Sequence, residues 1–199
     1  DPIAVDNIVT GPERNAGVTV SGTSEADGSV VVSWGQATRT VAVDGNGRWR
    51  ASFDRSEIPP DGDATVPPTA RDVAATTPVP AQAAVVVNTS PFPLAIGVVA
   101  NDDRVNAAEA ANVAITGISE ANAKIDVVWQ GIPKPAIADP AGNWSVMFSA
   151  AEVPLSTDPA GANFTITANA TNPIGNVASV VRDGFVDRIA PPAPLLLAA

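Results

Sequence analysis

The chain repeats itself once, and this internal repeat constrains the fold more than any other feature of the sequence. The segment VTVSGTSE returns later in the chain as VAITGISE. Two tryptophans, Trp34 and Trp49, return 95 residues further on as Trp129 and Trp144. About a dozen identities share this offset without a gap, which is far more than chance gives. The sequence therefore predicts two copies of one structural unit in tandem.

The repeat also predicts the domain boundaries. We expect residues 1–90 to form a divergent repeat and residues 91–190 a second repeat. We expect residues 191–199 to begin a further, truncated repeat, because the run PLLL at 194–197 resembles PLAI at 93–96. Each full unit is long enough to bury a hydrophobic core of its own.

Apolar residues alternate with polar ones in short runs, which indicates strands with one buried face. Val30, Val32 and Trp34 form one such run, and the corresponding residues of the second copy form another. Pro133 and Pro135 interrupt one strand, which only a sheet edge tolerates. No run has the period of an amphipathic helix. The pattern predicts an all-β protein of two immunoglobulin-like β-sandwiches, each with about seven strands.

Three finer expectations follow from the pattern. Residues 2–5 and 93–98 read as the first strands of the two units. The prolines at 67 and 68 predict a short or bulged sixth strand in the first unit. The link at 88–91 is only a few residues long, from which we expect the units to stack end to end.

Composition excludes several functional classes. The chain has no histidine and no cysteine, so the commonest catalytic base, disulfides and thiolate metal sites are all absent. Its net charge of −10 makes nucleic acid and anionic membrane surfaces poor partners. No apolar run approaches the ~18 residues of a membrane span. We therefore expect neither nucleic-acid binding nor membrane insertion.

Two candidate sites have a simpler structural reading. The four tryptophans could stack on sugars, but their place in the apolar phase of each strand favours core packing. The acidic pairs at 61/63 and 102/103 could suggest a glycosidase, but neighbouring strand residues point apart and no pocket-forming insertion is visible. We expect the chain not to be an enzyme.

Several motifs resemble the bacterial immunoglobulin-like repeats of very large secreted adhesins, of the biofilm-associated and RTX types. The most specific motifs are DDRVNAAEA at 102–110, followed by VAITGISE, GNW at 142–144 and NPIGN at 172–176. The second unit matches this pattern more closely, because the first has TGPE at 10–13 in place of NAAE and lacks the late Gly-Asn turn.

The resemblance implies a function and a location. It implies a stalk or spacer section of a cell-surface adhesin, exported by type I secretion, that supports cell adhesion and biofilm formation. The implied partners are neighbouring repeats of the same chain, and we expect a monomer. The alternative is a module whose exposed loops bind a glycan or a protein.

Calcium is the cofactor that the resemblance implies, and the acidic loops offer oxygen ligands for it. Tracing antiparallel strands brings these loops to the poles of each unit, and the first unit's residues would face Glu120, Asp139 and Asn172 across the junction. A solvated acidic surface is the alternative reading. The candidate calcium ligands are Asp6, Glu13, Asp61, Asp63, Asn88, Asp102, Asp103, Glu109, Glu120, Asp139 and Asp187.

Overall fold

The computed structural model describes residues 2–71, 79–156 and 161–190. The chain divides into two compact units, one of residues 1–90 with 174–176 and the other of residues 91–173 with 177–199. Both are built from β-strands, so the predicted all-β, immunoglobulin-like sandwich is confirmed. The truncated repeat expected at 191–199 lies outside the described residues.

The second unit is a two-sheet sandwich. One sheet has the strand order β10-β12-β15 and the other has the order β11-β17-β16-β13-β14. Its first strand is broken by a 3-10 helix at Val99–Asn101, so that β10 joins one sheet and β11 the other. The strands are β10 (Leu94–Ile96), β11 (Arg104–Asn106), β12 (Asn112–Ser119), β13 (Lys124–Trp129), β14 (Ile132–Ile137), β15 (Asn143–Ser149), β16 (Ala162–Thr171) and β17 (Val177–Asp187), with a second 3-10 helix at Glu109–Ala111.

The core of the second unit lies between these two sheets. Trp129 on β13 is fully buried, and its ring centroid lies 5.3 Å from that of Phe148 on β15. Phe164 on β16 completes the cluster at 4.9 Å from Trp129. Because β13 and β15 belong to different sheets, this aromatic contact joins them. The burial predicted for all four tryptophans is confirmed.

The first unit follows the same plan in shorter pieces. Among the described residues, β2 pairs with β5, β4-β3-β7-β8 form a second sheet and β1-β9-β6 a third. Trp34 on β3 packs edge-on against Phe53 on β5 at 5.6 Å. The elements are β1 (Ile8–Val9), α1 (Gly11–Ala16), β2 (Val18–Thr23), β3 (Ser29–Trp34), β4 (Ala37–Ala42), β5 (Arg48–Phe53), β6 (Gly62–Val66), β7 (Pro68–Arg71), β8 (Val79–Pro80) and β9 (Ala83–Val87).

The prolines have the effects that the sequence predicted. In the second unit β16 is one continuous strand that pairs with β17 along its whole length and with β13 over residues 166–171. In the first unit the corresponding strand stops at Val66 and resumes at Pro68, so β6 pairs with β9 while β7 pairs with β3. Consecutive prolines remove two backbone donors, which explains the interruption. The proline-containing strand β14 lies at a sheet edge, as expected.

The prediction of a first strand at residues 2–5 is wrong. These residues form a turn in which Ala4 and Val5 have φ values of 48° and 73°. The amide oxygen of Asn7 closes the turn by accepting a hydrogen bond from the Ile3 N–H at 2.9 Å. In the second unit the corresponding expectation is confirmed over Leu94–Ile96. The turn at residues 3–7 instead repeats residues 99–103, which have matching positive φ values.

The first unit also contains a short helix, α1, that the sequence did not predict. It has six residues and no buried side chain, so its sequence carries no amphipathic period. Glu13 stabilises its start, since its carboxylate accepts hydrogen bonds from the N–H and the hydroxyl of Thr10. Within the described ranges no helix is long and apolar enough to cross a lipid bilayer.

Candidate functional site

In each unit a short strand near the start of that unit pairs in parallel with the unit's last strand. We call these the terminal strand pairs: β1 with β9, and β11 with β17. The Phe185 N–H donates to the Asp103 carbonyl at 2.8 Å, and the Val86 N–H donates to the Asn7 carbonyl at 2.9 Å. The other strand pairings of the described residues are antiparallel.

The direction of these strands decides how they respond to tension. In a parallel pair the chain enters at the start of one strand and leaves at the end of the other. A pull on both chain ends therefore slides the strands along each other and loads their hydrogen bonds together. If two opposite residues at the same end of the pair are pulled apart, the bonds break one after another. A pull on the two chain ends of a unit would therefore load its terminal strand pair in the geometry in which all the hydrogen bonds resist together.

In the second unit, Asp103 and Arg182 reinforce the terminal strand pair. The Arg182 guanidinium donates from Nε to Oδ1 and from Nη2 to Oδ2 of Asp103, both at 2.6 Å. Its third nitrogen donates to the Ile96 carbonyl at 3.1 Å. The Val99 N–H also donates to Asp103 Oδ1, at 3.0 Å. Arg182 on β17 is therefore connected both to β10 and to the turn before β11.

This arrangement keeps both side chains charged. The hydrogen bonds from the Arg182 guanidinium lower the pKa of Asp103 below its ordinary value of 3.8; burial opposes this in part, and the Val99 N–H lowers the pKa further. The Asp103 carboxylate in turn raises the pKa of Arg182. The ion pair is therefore intact at neutral pH.

The first unit has a neutral counterpart of this ion pair. Asn7 occupies the place of Asp103, because each side chain accepts the N–H of the residue four positions earlier. The strand pairings align Val86 with Phe185, so Ala83 occupies the place of Arg182. The carboxylate and the guanidinium are thus both replaced in the first unit.

The remaining predicted calcium ligands of the second unit bind groups close by. Asp139 organises a turn by accepting the N–H groups of Ala141 and Asn143, each at 2.9 Å. The Asn143 backbone hydrogen bond is the main cause of the lowered pKa of Asp139. Each of the other ligands accepts a hydrogen bond: Asp102 from the Arg104 N–H, Glu109 from the Asn106 N–H, Glu120 from the Asn172 side chain and Asp187 from the Ile189 N–H.

In the first unit the predicted ligands are likewise engaged locally. Asp61 accepts hydrogen bonds from Thr89 and Ser90, and the Thr89 hydroxyl is the main cause of its lowered pKa. Glu13 binds Thr10 as described above, Asp6 accepts the Ile8 N–H, and the Asn88 side chain accepts the Ser90 N–H. Asp63 lines the same surface depression as Asp6.

These residues do not gather into a metal site. Over the described ranges, no group of three or more carboxylates meets in a way that could hold a metal ion. Asp6 and Asp63 are two candidates that share a depression, whereas calcium takes six to eight oxygen ligands. The described residues of either unit therefore do not fit a calcium site on their own, and the proposed ligand set stays a prediction.

The roles of Arg182, Asn7 and Ala83 were not predicted from the sequence. Arg182 lies 79 residues from Asp103, and nothing in its own segment points to that partner. One signal was available. Asn7 and Asp103 each stand near the start of a unit, and a neutral residue replacing a charged one in a repeat suggests that a partner of opposite charge is replaced as well.

The comparisons with known proteins bear on the fold. No protein-family model matches the sequence, and no curated protein matches it either. The structure is similar to a calcium-stabilised adhesin that helps an Antarctic bacterium reach out and bind ice, with 23% identity and a TM-score of 0.60 over 96% of this chain and 48% of that one. It is also similar to part of a 1.5-MDa bacterial ice-binding adhesin, with 23% identity and a TM-score of 0.58 over 95% of this chain and 63% of that one.

The chain spans less than two thirds of either adhesin structure. At this level of identity the similarity concerns the fold. The chain therefore consists of immunoglobulin-like β-sandwiches of the kind found in large bacterial adhesins.

Proposed function

We propose that this chain is a load-bearing spacer of a cell-surface adhesin, acting outside the cell. The observation that carries the proposal is the parallel terminal strand pair, which is present in both units. The similarity to bacterial adhesins supports it. In this proposal the partners are neighbouring repeats of the same chain, and the function is mechanical and not enzymatic.

The proposal gives the terminal strand pairs a definite task. Tension along a spacer enters each unit at its first strand, which in the second unit is β10 continuing into β11, and leaves at its last. In the second unit this path runs through β11 and β17, where the Asp103–Arg182 contacts add to the backbone hydrogen bonds. We expect the second unit to resist tension better than the first, where Asn7 and Ala83 take these places.

Single-molecule force spectroscopy tests the proposal. The chain has no cysteine, so two introduced cysteines can act as specific handles. Handles at the chain ends load the strand pair β11–β17 along its axis. Handles at Asn106 and Asp187, which lie opposite each other at one end of this pair, pull it open sideways. We expect the second unit to unfold at a higher force with the handles at the chain ends than with the handles at positions 106 and 187.

Equal unfolding forces with the two pairs of handles would refute a load-bearing role for the strand pair β11–β17. The variant Arg182→Ala serves as a matched control, because it removes only side-chain hydrogen bonds, to Asp103 and to the Ile96 carbonyl, and leaves every backbone donor in place. It should lower the force measured from the ends more than the force measured sideways.

The competing function is a ligand-binding module of the adhesin. The fold alone does not distinguish the two, because exposed loops of such sandwiches often carry binding sites. We expect the fragment to bind neither a glycan array nor host cells. Specific, saturable binding that is lost on changing loop residues would favour the module over the spacer.

Calcium is part of the proposal through similarity. A protein of similar fold is a calcium-stabilised adhesin, whereas the described residues do not form a ligand set within either unit. If calcium binds the native chain, a free concentration 100 times the dissociation constant stabilises it by about 2.7 kcal/mol. Melting should then rise in millimolar calcium relative to chelator, with magnesium as the control. An unchanged melting temperature would exclude calcium as a stabilising ion.

A further inference from the structure

Strand β4 of the first unit lies at the edge of its sheet. Among the described residues it pairs with β3 on one side and with no strand on the other. The Val43 N–H donates to the Gly28 carbonyl at 3.0 Å, and this bond fixes which residues of β4 bind β3. In an antiparallel pair the backbone groups of every second residue point to the partner strand. Those of Thr38 and Thr40 therefore point away from the sheet.

In the second unit prolines close the equivalent edge. The edge strand β14 stands 95 positions after β4, which puts Pro133 and Pro135 at the places of Thr38 and Thr40. The hairpin of β13 and β14 keeps the same alternation, so both prolines stand at outward-pointing positions. A proline offers no N–H group to a further strand. The edge of β4, in contrast, keeps its backbone donors.

The charged residue of β4 does not protect this edge. Edge strands are often shielded by a charged side chain that points out along them. The Arg39 guanidinium instead donates from Nη2 to both carboxylate oxygens of Glu57, at 2.5 and 2.7 Å, and lies over the ring of Phe53. Its Nη1 also donates to the Thr38 carbonyl at 3.3 Å. The side chain is thus held against its own unit.

The surface next to this edge is basic, although the chain has a net charge of −10. A depression lies where the end of β4 meets the start of β5, and Arg48 and Arg50 line it with Asp44 and Asn46. Both arginines are exposed, and among the described residues neither forms a salt bridge. The Asp44 carboxylate accepts the backbone N–H groups of Asn46 and Arg48. The two guanidinium groups are therefore available to an anionic partner.

We propose that the β4 edge of the first unit binds an extended acidic peptide segment of a partner protein as an added strand. The outward backbone groups of β4 would pair with the segment, and Arg48 and Arg50 would bind its carboxylates. An added strand lies about 4.8 Å beyond β4, which is within reach of arginine side chains on the neighbouring β5. The second unit lacks both parts of the site, because it has prolines on the edge and Asn143 and Ser145 in place of the arginines.

A labelled peptide of the sequence Glu-Val-Glu-Val-Glu-Val is the probe, with fluorescence anisotropy at low ionic strength as the assay. We expect saturable binding to the full chain. The peptide Lys-Val-Lys-Val-Lys-Val has the same strand pattern with the opposite charge and should not bind. The acidic peptide with every backbone nitrogen methylated keeps the charge but cannot donate to a strand edge, and it should not bind either.

Two variants copy the second unit into the first. Thr38→Pro with Thr40→Pro removes the outward N–H groups, and Arg48→Asn with Arg50→Ser removes the basic surface. We expect each double variant to weaken binding of the acidic peptide about tenfold. The arginine variant should also reduce the salt dependence of binding. It leaves the β4 backbone intact, so it remains a test if the added prolines prevent folding.

Amide hydrogen exchange locates the bound peptide. Exchange at Thr38 and Thr40 should slow about tenfold at saturating peptide, because their N–H groups become hydrogen-bonded. The amides of β14 should not change. Equal affinity of the wild type and the folded proline variant would overturn the proposal. Binding of the methylated peptide as tight as that of the unmodified one would also overturn it, because charge alone would then explain the binding.

A second copy of the chain is the other occupant that the experiments distinguish. We expect the chain without peptide to stay monomeric in sedimentation equilibrium, because two copies of net charge −10 repel each other. Association that disappears in Thr38→Pro with Thr40→Pro would show that the edge binds a second copy, and the proposed occupant would be wrong. The proposal goes beyond the spacer function, and none of these measurements applies tension, so the two can fail separately.

Discussion

The ion pair between Asp103 and Arg182 can be tested against a replacement that the chain itself contains. Asp103→Asn and Arg182→Ala give the second unit the residues found at the equivalent places of the first. Asparagine suits the position, because Asp103 has a φ of 62° and Asn7 has a φ of 65°. Its amide oxygen can also keep the hydrogen bond from the Val99 N–H.

The structure sets the expected magnitudes. Both side chains are a little under one third exposed, at 30% for Asp103 and 28% for Arg182, so water screens the ion pair substantially. Two hydrogen bonds of 2.6 Å still fix its geometry. We expect Arg182→Ala to cost about 1–2 kcal/mol, because it also loses the Ile96 contact, and the coupling between the two substitutions to be about 1 kcal/mol.

The assay is urea unfolding of the wild type, both single variants and the double variant, followed through amide resonances of β16 and β17 so that only the second unit is measured. Because the folded pKa of Asp103 is lowered, its stabilisation is complete above its ordinary pKa of 3.8 and is lost as the pH falls through the folded value. The coupling should therefore shrink at pH 2. Additive costs at pH 7, within about 0.3 kcal/mol, would refute the reasoning.

Three further predictions concern packing and pH. Gly117→Ala should lower the free energy of unfolding in urea by about 1–3 kcal/mol, because its methyl group would clash both with the Ala95 carbonyl oxygen and with the Trp144 ring. Gly22→Ala, whose methyl group would meet the Trp49 side chain at 2.6 Å, should cost less, and equal costs would contradict this. Trp129→Ala should lower the free energy of unfolding of the second unit by about 3–5 kcal/mol, because it leaves a cavity in the core. The tryptophan fluorescence of the native protein should be blue-shifted, and emission like that of free tryptophan would contradict the burial. Hydrogen bonds from Lys134, and then from the Ser149 N–H and hydroxyl, lower the pKa of Glu152 to about 2. The stabilisation by the Glu152 carboxylate is therefore complete above its ordinary pKa of 4.5 and is lost as the pH falls towards 2. Thermal melts of Glu152→Gln should show a weaker pH dependence in this range, and an unchanged slope would argue against these contacts.

Much of the fold was predictable because it depends on local patterns. The alternation around Trp34 and Trp129 predicted strands with a buried face, and the repeat offset predicted the same element in both units. Pro133 and Pro135 predicted an edge strand because each proline lacks the N–H group that a central strand would need, which is a property of the residue itself. Asp6, Asp102 and Asp103 lie in turns as the sequence predicted, whereas Glu13 lies in α1 and Asp63 in β6. The local hydrogen bonds of these acidic residues were not foreseen.

The sequence by itself determined that the chain holds two β-sandwich units, where most strands lie and which aromatic residues form the cores. Only the tertiary structure decided that residues 3–7 turn where a strand was expected and that Arg182 binds Asp103. The physical reason is the distance along the chain between partners. Alternation reports which face of a strand is buried, but which distant strand or side chain completes its hydrogen bonds is settled only when the sheets assemble.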